Sequence, residues 1–321
     1  MAADAASHSS GPRSSCRVGY LGPGGTFTEQ ALRSEPALAG RSFVALPSIP
    51  EVLEATAAGD VELGFAAIEN SIEGSVNITL DTLAFDSDLL IQRETILAVR
   101  LNLLAPPGAD IAGIERIVSF PHAVAQCRSF LRRHLPQVRV EASTSTAEAV
   151  RTVAAAGDPR TAAVGADLAG TLYNLKTLAA NIGDHPENQT RFVTVAAAGI
   201  PAPTGHDKTS VVTFQRSDRP GSLLSILQEF AARSINLTKL ESRPTKRSLG
   251  DYCFIIDLAG HVADELVADC LLNIQAKQAD VKFLGSYPAG GERADGARQE
   301  AGDAWRRAEA WLSTVRAHLT G

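Results

Sequence analysis

Four short polar stretches hold side chains suited to binding chemistry: Asn70 and Ser71 after GFAAIE, Ser119 after ERIV, Ser143 to Thr146 after VRVEA, and Asn188 to Thr190 before RFVTV. Their side chains are mostly amides and hydroxyls, which are neutral hydrogen-bond donors, and each stretch stands where an apolar run ends or begins. In open α/β sheets, ligands bind beyond the carboxyl ends of strands, where helix N-termini offer free N–H groups to anions. Such a set suits a small carboxylate better than a nucleotide. Taken singly, each hydroxyl is an ordinary helix cap; the convergence of four loops is what points to a site. The Gly-rich GPGGTF (Gly22 to Phe27) has neither Walker A nor dinucleotide-binding spacing and reads equally well as a structural turn. No Ser, His and Asp arrangement and no paired-carboxylate motif stands out. The four cysteines form no CxxC pair, so they are expected as free thiols with Cys127 and Cys253 buried, and the seven histidines show no metal-ligand spacing.

The elements around these loops alternate. RVGYLG is a buried strand running into the Gly-rich turn, Thr26 and Thr28 followed by Glu29 supply helix-capping chemistry, SFVALPS is a second strand, Ile49 to Ala58 a second helix, and ELGFAAIE a third, almost wholly apolar strand. Strands without a polar face, alternating with helices, indicate a parallel sheet covered on both sides. ETILAVRLNLLAPPG reads as one long strand closed by Pro106, Pro107 and Gly108, and three further strand-then-helix passages follow it. This gives a two-lobed α/β domain over residues 17–200, with lobe 1 at 17–94 and 188–200 and lobe 2 at 95–187. A cleft between lobes is a favoured ligand site.

IPAPTGHDK (Ile200 to Lys208) is the clearest linker. Beyond it, residues 208–288 run strand, helix, strand, strand, helix, strand, the βαββαβ ferredoxin-like order. Residues 289–321 read as a Gly- and Ala-rich linker and a final helix whose Trp305, Ala308, Leu312, Val315 and Leu319 form an apolar stripe, expected to dock on its own protein or on a twin chain. With 321 residues the chain has room for two domains, or three if one is small. Acidic residues number 36 against 30 basic ones, a net charge of −6 that gives a polyanion no electrostatic footprint, so nucleic acid is not an expected partner. No run approaches the roughly 18 apolar residues of a membrane span. Residues 1–16 read as a disordered leader without the apolar core of an export signal, and the chain is expected in the cytoplasm.

GYLGPGGTFTEQAL, GFAAIENSIEGSVNITLDTL, SFPHAVAQC, TSTAEAV and above all NQTRFVTV resemble prephenate dehydratase, while PGSLLSIL and INLTKLESRP resemble the phenylalanine-sensing ACT domain that follows it in that family. The resemblance spans about residues 17 to 288, with no chorismate mutase segment ahead of it. It implies a catalytic domain of the type II periplasmic-binding-protein-like class followed by a ferredoxin-like ACT domain. The implied activity is conversion of prephenate to phenylpyruvate, carbon dioxide and water without metal, nucleotide or redox cofactor. Arogenate dehydratase shares these motifs, and a non-catalytic two-lobed sensor of small carboxylates is the alternative of a different class.

By the family pattern Thr190 donates to the leaving hydroxyl, and Asn70, Ser71, Ser119, Gln126, Ser143 and Thr144 are candidates to contact substrate. Arg191 either meets a substrate carboxylate or ties the lobes together, Phe192 packs in the core, and Glu69 and Glu73 are structural, since a bare carboxylate repels a dianion. Phenylalanine as allosteric effector is expected at Pro220, Gly221, Ser222, Leu223 and Leu224, with Asn236 and Leu237 of the partner chain completing the pocket. Glu241, Ser242, Arg243 and Pro244 are placed in the same site, more to shape it than to touch the ligand. The family's usual Gly-Ala-Leu-Val stands here as Gly221-Ser222-Leu223-Leu224. A homodimer is the expected minimum and a homotetramer fits the family; a plain ferredoxin-like dimerisation module is the alternative for this unit.

Overall fold

The computed structural model describes residues 16–215, 220–246, 251–291 and, in the tail, 305, 307, 308 and 310–318. The expected leader up to residue 15 lies outside these, as do Leu319 and the residues 216–219 that precede Pro220.

Lobe 1 is built from β1 (Arg17–Leu21), α1 (Phe27–Ser34), β2 (Ser42–Leu46), α2 (Ile49–Ala58), β3 (Leu63–Asn70), the short β4 (Gly74–Ser75), α3 (Asn77–Asp81) and β5 (Leu90–Ala98). Lobe 2 follows with β6 (Asn102–Ala105), β7 (Arg116–Ser119), α4 (Pro121–Ala125), α5 (Arg128–His134), β8 (Arg139–Ala142), α6 (Thr146–Ala156), β9 (Thr161–Gly165), α7 (Asp167–Leu172) and β10 (Lys176–Ala179). The chain then returns as β11 (Gln189–Ala196) and inserts between β3 and β5, giving lobe 1 the order β2-β1-β3-β11-β5 with β4 hung on β3. Lobe 2 has the order β10-β6-β9-β7-β8. Three helices start on the same local device: Thr26, Ser48 and Ser145 accept from the N–H groups of Glu29, Glu51 and Glu148, the Ser/Thr-x-x-Glu pattern that satisfies N-terminal donors.

The run expected as one strand from Glu94 splits in two. Its first part must stay in lobe 1 as far as Ala98, which pairs with Gln189 of β11, so the crossing falls at 99–101 and lobe 2 begins later than position 95. The two crossing segments bond to each other, Val99 N–H to the Asn188 carbonyl at 2.8 Å and Ile182 N–H to the Leu101 carbonyl at 2.8 Å. β10, an edge strand antiparallel to β6, has no counterpart in the sequence reading.

The C-terminal unit comprises β12 (Asp207–Gln215), α8 (Ser222–Ala231), β13 (Leu237–Pro244), β14 (Tyr252–Ala259), α9 (Glu265–Asn273) and β15 (Ala279–Pro288), with the sheet order β13-β14-β12-β15. Its helix-side core is its own, gathered around Val211, Ile226, Phe230 and Ile256. Its other face is shared. Val212, Ile255, Leu284 and Tyr287 pack in one buried cluster with Leu53, Ile68, Leu83, Ile91 and Val193 of lobe 1. The approach is closest at Gly285, where a Cβ would lie 2.5 Å from the Ile91 carbonyl oxygen. Burial of this apolar surface, at ~25 cal/mol per Å², holds the unit against lobe 1. Phe192 is buried on the opposite face of the lobe 1 sheet and stacks on Phe65 at 5.2 Å, the packing role expected of it.

Cys127, Cys253 and Cys270 are buried free thiols, and burial pushes Cys253 up to about 11. In the tail, residues 310–316 are helical, but Trp305, Leu312 and Val315 of the expected stripe are exposed, not docked on the domains. Among the described residues no helix is long and apolar enough to cross a membrane.

Candidate active site

β11 lies antiparallel to β3 with Thr190 opposite Asn70 and Arg191 opposite Glu69. Side chains alternate across a strand, so these two adjacent rungs face opposite sides of the sheet. The first rung meets the gap between the lobes. Asn70 Oδ1 accepts the N–H groups of Ile72 at 2.9 Å and Glu73 at 3.0 Å, which fixes the orientation of its amide. Asn70 Nδ2 therefore points the other way and donates to Thr190 Oγ1 and Asn188 Oδ1, both at 2.9 Å. Asn188 Nδ2 donates across to Gln126 Oε1 of lobe 2 at 2.9 Å, and Gln126 Nε2 ends the relay on the Glu73 carboxylate at 3.2 Å. His122 Nδ1 stands 3.3 Å from the same carboxylate oxygen.

This relay has one direction, set by backbone donors at one end and a carboxylate at the other. Its consequence falls on Thr190. A hydroxyl that already accepts from Asn70 keeps its own proton for another acceptor. Ser71 braces the loop below, exchanging hydrogen bonds with Gln189: its N–H donates to the Gln189 carbonyl at 2.9 Å and its Oγ accepts the Gln189 N–H at 3.0 Å.

Of the expected substrate contacts, the structure thus gathers Asn70, Ser71, Gln126 and Thr190. Ser143 and Thr144 stand beyond the end of β8, before the Ser145 cap, where Ser143 N–H donates to the Ser119 carbonyl at 2.9 Å. Ser119 is placed differently from expectation. It is fully buried and its hydroxyl donates to the Val164 carbonyl at 2.7 Å, so it ties β7 to β9 and supports the loop that carries Gln126. The GPGGTF loop proves a link between lobes: Tyr173 Oη donates to the Gly24 carbonyl at 3.1 Å. Asn188, named only as part of a polar stretch, Glu73, expected to be structural, and His122, not singled out, complete the relay. Asn188 was legible as part of NQTRF, whereas nothing in the sequence brings Glu73 and His122 together.

Arg191 also departs from the first of its two expected roles. Its guanidinium lies on the far side of the sheet, against the C-terminal unit: it pairs with the buried Glu94, with Asp257 Oδ2 at 2.6 Å and Glu69 at 3.3 Å, and donates to Tyr287 Oη at 3.0 Å. Burial alone disfavours the charge, but Tyr287, Asp257 and Glu94 outweigh it and hold the arginine well above its ordinary pKa. Arg191 is a tie, though between lobe 1 and the C-terminal unit and not between the lobes. Glu94 also takes Lys208 at 2.6 Å and the Gly290 N–H at 2.7 Å. Removing one partner of such a buried charge cluster costs about 3–5 kcal/mol.

Glu241 and Arg243, expected in the effector site, belong to the same interface. Glu241 accepts from Ser75 and pairs with Lys239 at 3.2 Å, and Arg243 reaches Asp81 and Asn77 of α3. Pro244 closes β13 opposite Tyr252. Ser242 turns to the other face, where a cavity of about 470 Å³ is lined by Gly221, Ser222, Leu223, Leu224, Tyr252 and Phe254 among others. Asn236 and Leu237 are engaged within their own unit: the Asn236 carbonyl accepts the Ala259 N–H, and Leu237 packs at its core.

Residues 18–199 match the family model described as prephenate dehydratase, and residues 210–275 match that of the ACT domain. The chain belongs to the prephenate dehydratase family. The prephenate dehydratase of Mycobacterium marinum is 41% identical over 283 residues, 85% of this chain and 89% of that protein. Among solved structures, the Arthrobacter aurescens prephenate dehydratase in complex with L-Phe is 37% identical with a TM-score of 0.85, covering 94% of this chain and 99% of that one. A protein described as a novel type of quorum quenching acylase is also similar in structure to this chain, with 28% identity, a TM-score of 0.75 and coverage of 85% of this chain and 98% of that one.

Proposed function

We propose that the chain converts prephenate to phenylpyruvate, carbon dioxide and water in phenylalanine biosynthesis in the cytoplasm, and that phenylalanine at the ACT domain lowers that activity. The observation that carries the first part is the uncommitted proton of Thr190, which accepts from Asn70 on a branch of a relay whose direction is fixed. Prephenate loses its ring carboxylate as carbon dioxide while the electrons of that C–C bond restore the aromatic ring and expel the allylic hydroxyl. The hydroxyl departs as water, so one proton is taken up overall. A hydroxyl donor aimed at the leaving oxygen stabilises charge that develops only as the C–O bond breaks, which is where binding energy lowers the barrier. Asn70, Asn188 and Gln126 hold that donor, and Gln126 does so only while the lobes are together.

The second part rests on the cavity beside α8. The first residues of α8 stand at the rim of this cavity, with Leu223, Leu224, Tyr252 and Phe254 placed to surround the side chain of an amino acid. The L-Phe complex of the Arthrobacter aurescens relative supports that choice of effector. Leu224, Leu240 and Tyr252 are exposed next to the cavity, and β13 is an open sheet edge, so a second copy covering this side completes a homodimer, with a tetramer as the larger assembly. The test is phenylpyruvate formation from prephenate beside arogenate, with and without millimolar phenylalanine. Preference for arogenate reassigns the substrate, absence of turnover with either leaves a sensor, and a monomer in sedimentation at micromolar concentration defeats the assembly.

A further inference from the structure

The ladder between β3 and β11 places two kinds of rung one residue apart. Thr190 and Asn70 face the cleft; Arg191 and Glu69, the next pair, face the ACT domain. Both members of the second rung are held by ACT side chains. Asp257 of β14 takes Arg191 at 2.6 Å, and Lys239 of β13, itself buried, reaches Glu69 Oε1 at 3.3 Å. From there the charges alternate along β13 and back into lobe 1: Lys239 to Glu241, Glu241 to Arg243, Arg243 to Asp81.

The same two strands line the effector cavity with their other side chains. Ser242 stands between Glu241 and Arg243 on β13, and Phe254 precedes Asp257 on β14. A ligand that displaces Ser242 or Phe254 therefore moves strands whose opposite faces grip Glu69 and Arg191. Each of those is the chain neighbour of a residue in the relay. We infer that the Glu69–Arg191 rung is the coupling element of this protein, a positioning pair through which occupancy of the ACT cavity sets the orientation of Asn70 and Thr190. The pathway is contiguous and short, and it runs through fixed β-ladder geometry. Phenylalanine acts through it only by binding one arrangement of the ACT sheet on lobe 1 more tightly than the other. Typical couplings of this kind change affinity roughly 5- to 150-fold.

The inference rests on the proposed regulation by phenylalanine, and the test separates the two. Lys239→Met keeps the length of a buried side chain and removes its charge; Asp257→Asn keeps shape and removes the charge opposite Arg191. Phenylalanine binding is measured by calorimetry on the full chain, and phenylpyruvate formation over a phenylalanine titration. The expected result is a Kd for phenylalanine within about threefold of wild type and a maximal inhibition reduced at least about fivefold, the low end of such couplings. In a Thr190→Val background, where bound prephenate turns over about a hundredfold or more slowly, prephenate should shift the phenylalanine Kd but lose that effect once Lys239→Met is added, because coupling is reciprocal. If Asp257→Asn does not fold, Lys239→Met carries the test alone. Wild-type inhibition in Lys239→Met, or inhibition lost only in step with phenylalanine binding, overturns the inference. A wild type that makes phenylpyruvate but neither binds nor responds to phenylalanine fails the underlying reading and the inference with it, a result visible before either variant is measured.

Discussion

With its lone-pair side occupied by Asn70 Nδ2, the Thr190 hydroxyl is left as a donor, and two substitutions probe that assignment from opposite sides. Thr190→Val removes the donor while keeping the shape; kcat should fall on the order of a hundredfold or more with KM little changed. Asn70→Asp leaves the hydroxyl in place but replaces the amide donor by an acceptor, so Thr190 must turn its proton toward position 70. Here kcat should fall comparably and KM should rise, since the added charge repels a dianion, and steady-state kinetics on both variants read the two effects apart. The identities of Asn70 and Thr190 were legible in the sequence because they sit in family motifs at strand ends, and that of Gln126 because it closes the HAVAQC helix motif. The direction of the relay was not, because it depends on which backbone N–H groups the Asn70 amide meets. Ser119 shows the converse: a hydroxyl at the right end of the right strand, already given to the Val164 carbonyl of the neighbouring strand.

At the level of elements, period-two alternation explains most of what was seen and most of what was missed. It places Arg191 opposite to Thr190 on β11, and Glu241 and Arg243 opposite to Ser242 on β13, but a sequence does not say what lies on either side. The βαββαβ order was readable because each element carries its own pattern. The face on which that unit docks was not, since apolar side chains such as Val212 and Ile255 read as core whichever core they join. Two glycines test the elements directly. Gly221 caps α8 at φ +89°, a conformation that disfavours any side chain, so Gly221→Val should weaken phenylalanine binding and blunt inhibition while sparing basal turnover; equal loss of both would contradict the site. At Gly285, the added methyl of Gly285→Ala would collide with the Ile91 backbone, which has no flexible end to give way. Overpacking of this kind costs about 1–3 kcal/mol, and calorimetry should show a Tm lower by several degrees.

Across the whole molecule, lobe 1 and the ACT domain share a core, while lobe 2 is joined by two crossing segments, the Gln126 and His122 contacts, the Tyr173–Gly24 hydrogen bond and the packing of Phe27, so any opening of the cleft would move lobe 2 against a larger composite body. The charged seam of that body is sensitive to acid. Partial burial works against ionisation of Asp81 and Glu241, but Lys246 and Arg243 outweigh it at Asp81, and Ser75, Lys239 and Arg243 at Glu241, leaving both below the usual carboxylate range. Groups with lowered folded-state pKa values stabilise above their unfolded values, about 3.9 for Asp and 4.3 for Glu, and that contribution disappears as pH falls through the folded values. Tm should therefore drop below about pH 4, and Asp81→Asn should flatten that drop in a pH series.

The exposed tail has an optical consequence. Its Trp305 and Trp311 are the only two tryptophans of the chain, so all indole emission originates outside the cleft, the ACT cavity and every buried core. The native protein should emit with the red-shifted maximum of solvated indole, and titration with prephenate or phenylalanine should leave that spectrum unchanged. A blue shift that grows with protein concentration would instead report a second chain covering the tail. Once both positions are replaced by phenylalanine, the protein becomes a dark background in which a single tryptophan placed at Phe254 would report on the ACT cavity alone.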